Sequence, residues 1–495
     1  MTQEKSLLKK IAELPFAPAG EYARWVSIVF LSVVFLSGVA HWVFFFHQGE
    51  MSFNYYDWTQ EYMHYRVLQD GIQEGILPLH LNIQPQLTDR FLAIPDTVLS
   101  PQIILLKWLD IDLFILVHIL LLYSIGYWGL LKIRERYSLG GFAFIILFLL
   151  FNLNGHITAH LSIGHSMWGG YFLLTWVIYW ILELIQGRDW RITSVWLGLI
   201  FFGMILQGSF HLVIWCWMFL FVLMLARWKY WKAVIGAVSC GALLSMGRIL
   251  PAAFTYWNSS KTYVAGYPNL TVLINSFTQI NDHSTPFIGG ILNDMGWWEY
   301  DIFIGFVGMA FIALFGIGLR FIMNRDKSFQ SFSDLDIPIM VLFFFSIDLF
   351  YPLIAKIPLP LFNAERVASR FIIIPVVFLI VCSVIRLQQV LPAIINNGKR
   401  KLLALLLALE MVFELINHSN TWRIGRLEIA FAGAPLDKSF HIIKKDDPVY
   451  ITMLLIGWGI TLIGVCVIPL LFRWAKKNDR LWIENEKRLH RDEAA

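Results

Sequence analysis

Apolar stretches of roughly 17 to 25 residues, parted by short polar runs, recur from Arg24 to Phe472. In lipid every backbone N–H and C=O must be paired inside the spanning element. Continuous apolar runs of this length achieve that as helices rather than as the alternating strands of a barrel. The pattern predicts spans near 25–47, 113–133, 139–153, 166–186, 193–206, 209–226, 233–250, 301–321, 337–356, 371–391, 402–417 and 450–472. That is about 12 helices, with 11 to 13 as the range, because 139–153 and 193–206 are short for a bilayer. The expected fold class is all-α, a polytopic helical membrane protein forming a single transmembrane domain over 1–495.

Charge sets the orientation. With the N-terminus in the cytoplasm, most of the 39 Lys and Arg fall in the segments between alternate spans and in the basic tail 473–495, as the positive-inside rule requires. Both termini are then cytoplasmic, in a cell (plasma) membrane. The long loops 48–112, 251–300 and 418–449 face outward, with shorter ones at 154–165 and 357–370. The segment Met1–Glu21 is polar for too long to open a short cleaved signal, so the span after it is expected to stay as an anchor.

Composition narrows the function. At 57% hydrophobic and 15% charged residues, the chain lies far from soluble averages. The net charge of +4 comes from scattered residues and no basic domain collects them, so a nucleic-acid partner is not expected. Cys216, Cys240, Cys382 and Cys466 lie in apolar runs and lack CxxC or Cys/His spacing.

Candidate chemistry gathers in the outward loops. From Trp58, the residues Trp58, Tyr62, Tyr65, Leu68 and Ile72 share a face at helical spacing, with Asp57, Glu61 and His64 opposite. An amphipathic helix of this kind lies flat at the membrane surface and holds its carboxylates above the lipid. Asp57, three residues before Gln60, also fits a capping box, and Glu61 and His64 fit a solvated face. A second surface segment follows Asp96, which sits beside Pro95 where acids commonly serve turns. His156 and His160 are at i and i+4, with His165 shortly after, in a spacing that suits a proton relay or metal ligation.

Glu299 and Asp301 stand beside Trp297, Trp298 and Tyr300 at a span boundary, where carboxylates are costly unless paired or functional. Arg366 and Arg370 are at i and i+4; on a helix they would grip a phosphate together, with pairing to Glu365 as the competing reading. Arg248, Arg423 and Arg426 could join that cradle. Glu183, Asp348, Glu410 and Glu414 fall within predicted spans, and Asp348 points most directly to a buried polar contact.

Taken with the topology, four segments resemble the GT-C superfamily of multispanning glycosyltransferases. They are Tyr56-Asp57-Trp58 with Glu61, the Gly-His pair at His165, Gly296-Trp297-Trp298-Glu299-Tyr300-Asp301, and Glu365-Arg366-Val367-Ala368-Ser369-Arg370. The resemblance implies inverting transfer of a sugar from a polyprenyl-phosphate donor to a glycan, lipid or protein acceptor on the non-cytoplasmic face. Asp57 matches the first-loop base, and Asp96, Glu299 or Asp301 the second acid. Arg370, with Arg366 and Arg248, matches the phosphate-binding role, and the acids and guanidiniums are expected to share one pocket. The paired-acid loop of oligosaccharyltransferases and a C-terminal soluble domain are both missing, and the divalent metal of some branches stays open. The rival functions are a transporter or flippase of a lipid-linked or small polar substrate, and a non-catalytic membrane assembly subunit.

Overall fold

The computed structural model describes residues 24–82, 88–257, 265–286, 288–289, 294–319, 332–350, 366–430 and 441–492. Met1–Glu21, Glu365 and the end of the span predicted at 337–356 lie outside them. Among the described residues, seven helices are long and apolar enough to cross a membrane: Trp25–Phe45, Ile111–Arg136, Gly141–Ser162, Ser166–Ile185, Ala368–Ile395, Gly398–Glu428 and Pro448–Asp479. An eighth crossing is available if Trp228–Leu244 and Met246–Tyr256, bent by 81°, count as one span. Trp190–Leu206, Phe210–Ala226 and Gly305–Gly318 are apolar but shorter, so three predicted spans exist as helices below full crossing length. The protein is an all-α integral membrane protein; the sheets among the described residues are pairs of two-residue strands, His80–Leu81 with Ile442–Ile443 and Ile288–Gly289 with Asp294–Met295.

The chain divides into two compact units. The first comprises Met1–Tyr55, Ile115–Gly164 and Tyr263–Gly433; the second comprises Tyr56–Phe114, His165–Thr262 and Ala434–Ala495.

In the first unit, Gly141–Ser162 and Ala368–Ile395 are almost wholly buried and form the core. Trp25–Phe45 and Gly398–Glu428 are mostly uncovered and show Val29, Val33, Leu36, Leu402, Leu406 and Leu409, the apolar face a lipid-bathed helix presents. Several polar groups inside this unit bond backbone. The phenols of Tyr123 and Tyr127 donate to the carbonyls of Phe35 (2.9 Å) and Leu31 (2.7 Å) in the first span. Ile312–Gly318 is wound as a π-helix, which loosens the regular carbonyl pairing. Arg386 donates to Phe315 O (2.9 Å) and Gly316 O (2.6 Å) in that segment, so a charge within the core span meets acceptors left by the irregular winding. Glu414, predicted inside a span, accepts the N–H groups of Phe306 (2.9 Å) and Val307 (3.3 Å) and so serves the first turn of the helix Gly305–Phe311. Asp348 is buried and accepts the N–H of Gly266, the buried polar contact its position suggested.

In the second unit, Trp190–Leu206 and Trp231–Leu244 make the most extensive helix pair, crossing at Gly198, Cys240 and Gly241. A Cβ on Gly198 would collide with Cys240, so this close approach requires glycine, as at many membrane helix crossings. Arg188 holds Asp479 in a two-pronged pair (2.6 and 2.7 Å), with Glu183 at 3.5 Å. Glu183 is itself buried, so it does not reach water from the end of its span.

The loop after the surface helix is locked to the start of the last span. Lys445 Nζ binds Asp89 (2.6 Å), Arg90 Nε binds Asp447 (2.8 Å), and the Tyr450 hydroxyl accepts the N–H of Leu92 (3.0 Å). Burial would push the Asp447 carboxyl up, but the hydrogen bonds from Arg90 and the Tyr450 N–H, with the Arg90 charge, outweigh it and hold it below its ordinary value. Asp89 is likewise held low: burial is opposed by the hydrogen bond and charge of Lys445. Carboxyls depressed in the folded state add stability above the unfolded carboxylate value of about 4, and lose it as pH falls through the folded values. Thermal stability in detergent should therefore fall below about pH 4. The double variant Asp89→Asn/Asp447→Asn should flatten that decline, and an unchanged profile would show the lock carries no linkage.

Candidate functional site

The surface helix Trp58–Glu74 exists as the apolar spacing predicts, ending at Gly75 in the left-handed conformation that glycine tolerates. Its polar face departs from expectation. Glu61 is 2% exposed and His64 1%, so neither belongs to a solvated face. Ser166 Oγ donates to Glu61, the Tyr65 hydroxyl donates to Ser166 Oγ (3.1 Å), and His64 Nδ1 lies 3.7 Å from Glu61. The carboxylate is buried because the segment after Gly164 supplies a donor for it, which helical periodicity within 58–74 could not reveal. Burial and the charge of Glu61 push the Tyr65 phenol up, so it stays protonated and donates.

Asp57 occupies the N-cap position but makes no side-chain capping bond. Its carboxylate turns instead to His165, with Nε2 to Oδ2 at 2.9 Å. The imidazole is buried and tilted on Trp168 (5.0 Å), while the Asp57 side chain is 58% exposed. The result is an accessible carboxylate backed by an oriented histidine, next to the buried Glu61–Ser166–Tyr65 chain. The residue before it, Tyr56, has a positive φ (44°), and among the described residues His47 (48°), Gln48 (61°) and Phe53 (56°) in the first unit share that conformation. Strain of this kind persists only where surrounding structure imposes it. Glu428 anchors that loop in the first unit, accepting the Ser52 N–H (2.6 Å) with His47 at 3.3 Å.

Arg248 does not present an anion grip. Its guanidinium donates to the carbonyls of Leu92 (3.0 Å), Ile94 (3.0 Å), Pro95 (3.0 Å) and Thr97 (2.7 Å), clamping the turn that carries Asp96. A buried guanidinium with fixed donors suits converging carbonyls, and the bend at Ser245 brings it there. Asp96 Oδ1 is buried with no hydrogen-bond donor among the described residues.

In the first unit, Arg370 and Glu299 form a buried two-pronged pair, Nε to Oε2 at 2.6 Å and Nη2 to Oε1 at 2.7 Å. Ser369 Oγ also donates to the Glu299 carbonyl (2.6 Å). The predicted alignment of Arg366 with Arg370 fails because the helix starts later: Val367 bridges Ala265 in parallel, and the helix opens only at Ala368. Arg366 is left exposed while Arg370 is buried.

Asp301 is buried and fully engaged. Oδ1 accepts the Phe303 N–H (3.0 Å), and Oδ2 meets His418 Nε2 (3.0 Å) and Trp422 Nε1 (3.1 Å). Its oxygen fills the space that a side chain on Gly155 would need, so this contact depends on glycine there. His156 and His160 share a helix face, their rings 4.6 Å apart and edge to face, and both are buried. They belong to the first unit and His165 to the second, and among the described residues no group of three His, Cys, Asp or Glu could hold a metal ion. Asp57, Asp96, His165 and Arg248 fall in the second unit; Glu299, Asp301, Arg366 and Arg370 fall in the first. No protein-family model matches this chain, and no curated protein matches it.

Proposed function

We propose that the protein is a membrane glycosyltransferase of GT-C type that moves a sugar from a polyprenyl-phosphate donor to a glycan, lipid or protein acceptor. The observation that supports this reading is the exposed Asp57 carboxylate fixed by buried His165. A general base must reach the acceptor proton while its geometry is set by a second group, and this pair meets both needs. Of the three candidates for a second acid, Glu299 and Asp301 have both oxygens engaged, whereas Asp96 keeps one without a donor. Asp96 is therefore the favoured partner. Inverting displacement needs one base and stabilisation of the departing phosphate. On this reading the donor's phosphate meets a cation other than Arg248 or Arg370, whose guanidiniums already serve carbonyls and Glu299. The loops bearing Asp57 face the non-cytoplasmic side, and about 12 crossings place both termini in the cytoplasm of a cell-membrane protein.

The 81° break between Leu244 and Met246 supports a second reading as a transporter or flippase of a lipid-linked or small polar substrate, since interrupted spans frame many transport sites. One reconstitution separates the two. Purified protein in vesicles is given radiolabelled polyprenyl-phosphate sugars and an acceptor mixture. Label appearing on acceptor supports transfer; label crossing the bilayer still on its lipid supports the rival and overturns the glycosyltransferase reading.

A further inference from the structure

Within the first unit, the helices Arg24–Phe45 and Gly398–Thr421, with Arg423 just beyond, enclose a cavity of about 380 Å³. Its lining is divided. His41, Asn417, Ser419, Asn420 and Arg423 supply donors, and among the described residues no carboxylate lines it. Phe44, Phe413 and Ile416, all exposed, make an apolar flank continuous with the bare faces of the two spanning helices.

Arg423 is the charged member. Its guanidinium carbon lies 4.4 Å from the centroid of the Phe44 ring, and its buried Nε has no hydrogen-bond partner among the described residues. His41 Nε2 and Ser419 Oγ lie within hydrogen-bond distance of each other, at 3.4 Å. A guanidinium at the end of two membrane helices is costly unless an anion compensates it, and its planar fork matches phosphate oxygens. Exposed apolar walls alone would suit any acyl chain; the acid-free donor set selects one whose head is anionic.

We propose that this cavity binds the phosphodiester headgroup of a membrane phospholipid, Arg423 holding the phosphate and one acyl chain lying over Phe413 and Ile416. The assignment rests on the membrane character of the chain and is independent of the glycosyl-transfer reading.

The test is native mass spectrometry of the full chain in detergent titrated with phosphatidylglycerol, paired with the thermal midpoint. Wild type should retain one phosphatidylglycerol per chain and gain in midpoint on adding it. Arg423→Ala should bind about tenfold more weakly and lose most of that gain, with Arg423→Lys between them. Should Arg423→Ala not fold, Asn417→Ala/Asn420→Ala, which alters exposed side chains, should reproduce the weakening. Equal retention by wild type and the variants would overturn the proposal. So would a midpoint gain from inorganic phosphate equal to that from phosphatidylglycerol, which would reveal a free-anion site, or the absence of any retained lipid in wild type.

Discussion

Asp57→Asn is expected to lower sugar transfer by about 10²- to 10⁴-fold, the usual worth of a positioned proton acceptor. The change keeps size and the contact to His165 Nε2, so the fold and donor binding should survive. The loss should appear in kcat rather than in donor KM, because the carboxylate acts on the acceptor proton only as the new bond forms. His165→Asn should cost less, since it removes the group that aims Asp57 and leaves the base in place. Steady-state transfer with a saturating acceptor and varied donor separates these outcomes. Full activity in Asp57→Asn would remove the proposed site, and a fall in thermal stability matching the fall in rate would reduce Asp57 to a structural role.

Glu299→Gln should be the most destabilising single change, at about 3 to 5 kcal/mol, because it strands the buried Arg370 guanidinium without its counter-charge. The pair is buried on both sides and doubly hydrogen-bonded, so screening by water does little to soften the loss. Replacing both partners, as in Glu299→Leu/Arg370→Met, should recover most of it, since the cost lies in the orphaned ion rather than in the missing attraction. Denaturation of the purified variants in mixed micelles provides the comparison. A double variant no better than Glu299→Gln would mean the side chains are wanted for shape or for a ligand.

The sequence made the membrane class plain because apolar run length is dictated by the solvent, and runs such as 371–391 and 450–472 need no tertiary knowledge to interpret. The surface helix at Trp58 followed from periodicity for the same reason. Pairing was harder to foresee. Glu61 and His64 read as solvated because the partner that buries Glu61, Ser166, is about a hundred residues away at the start of a predicted span. Arg248 and Arg370 were legible as cations needing compensation; nothing local said that carbonyls at 92–97 and Glu299 would provide it. The turn at Val367 was equally hidden, since a short parallel bridge with Ala265 leaves no alternating pattern. His165 is the instructive case: it was grouped with His156 and His160 by proximity in the chain, yet its partner is Asp57.

The contorted stretch from His47 to Tyr56 has a bearing on engineering. Each left-handed non-glycine residue there costs about 1 to 3 kcal/mol that the rest of the fold must offset. Glycine at Gln48 or Tyr56 would refund part of that debt and harden the protein against heat. At Tyr56, the residue before Asp57, it would also loosen the backbone that presents the carboxylate, so robustness and turnover are set against one another at that position.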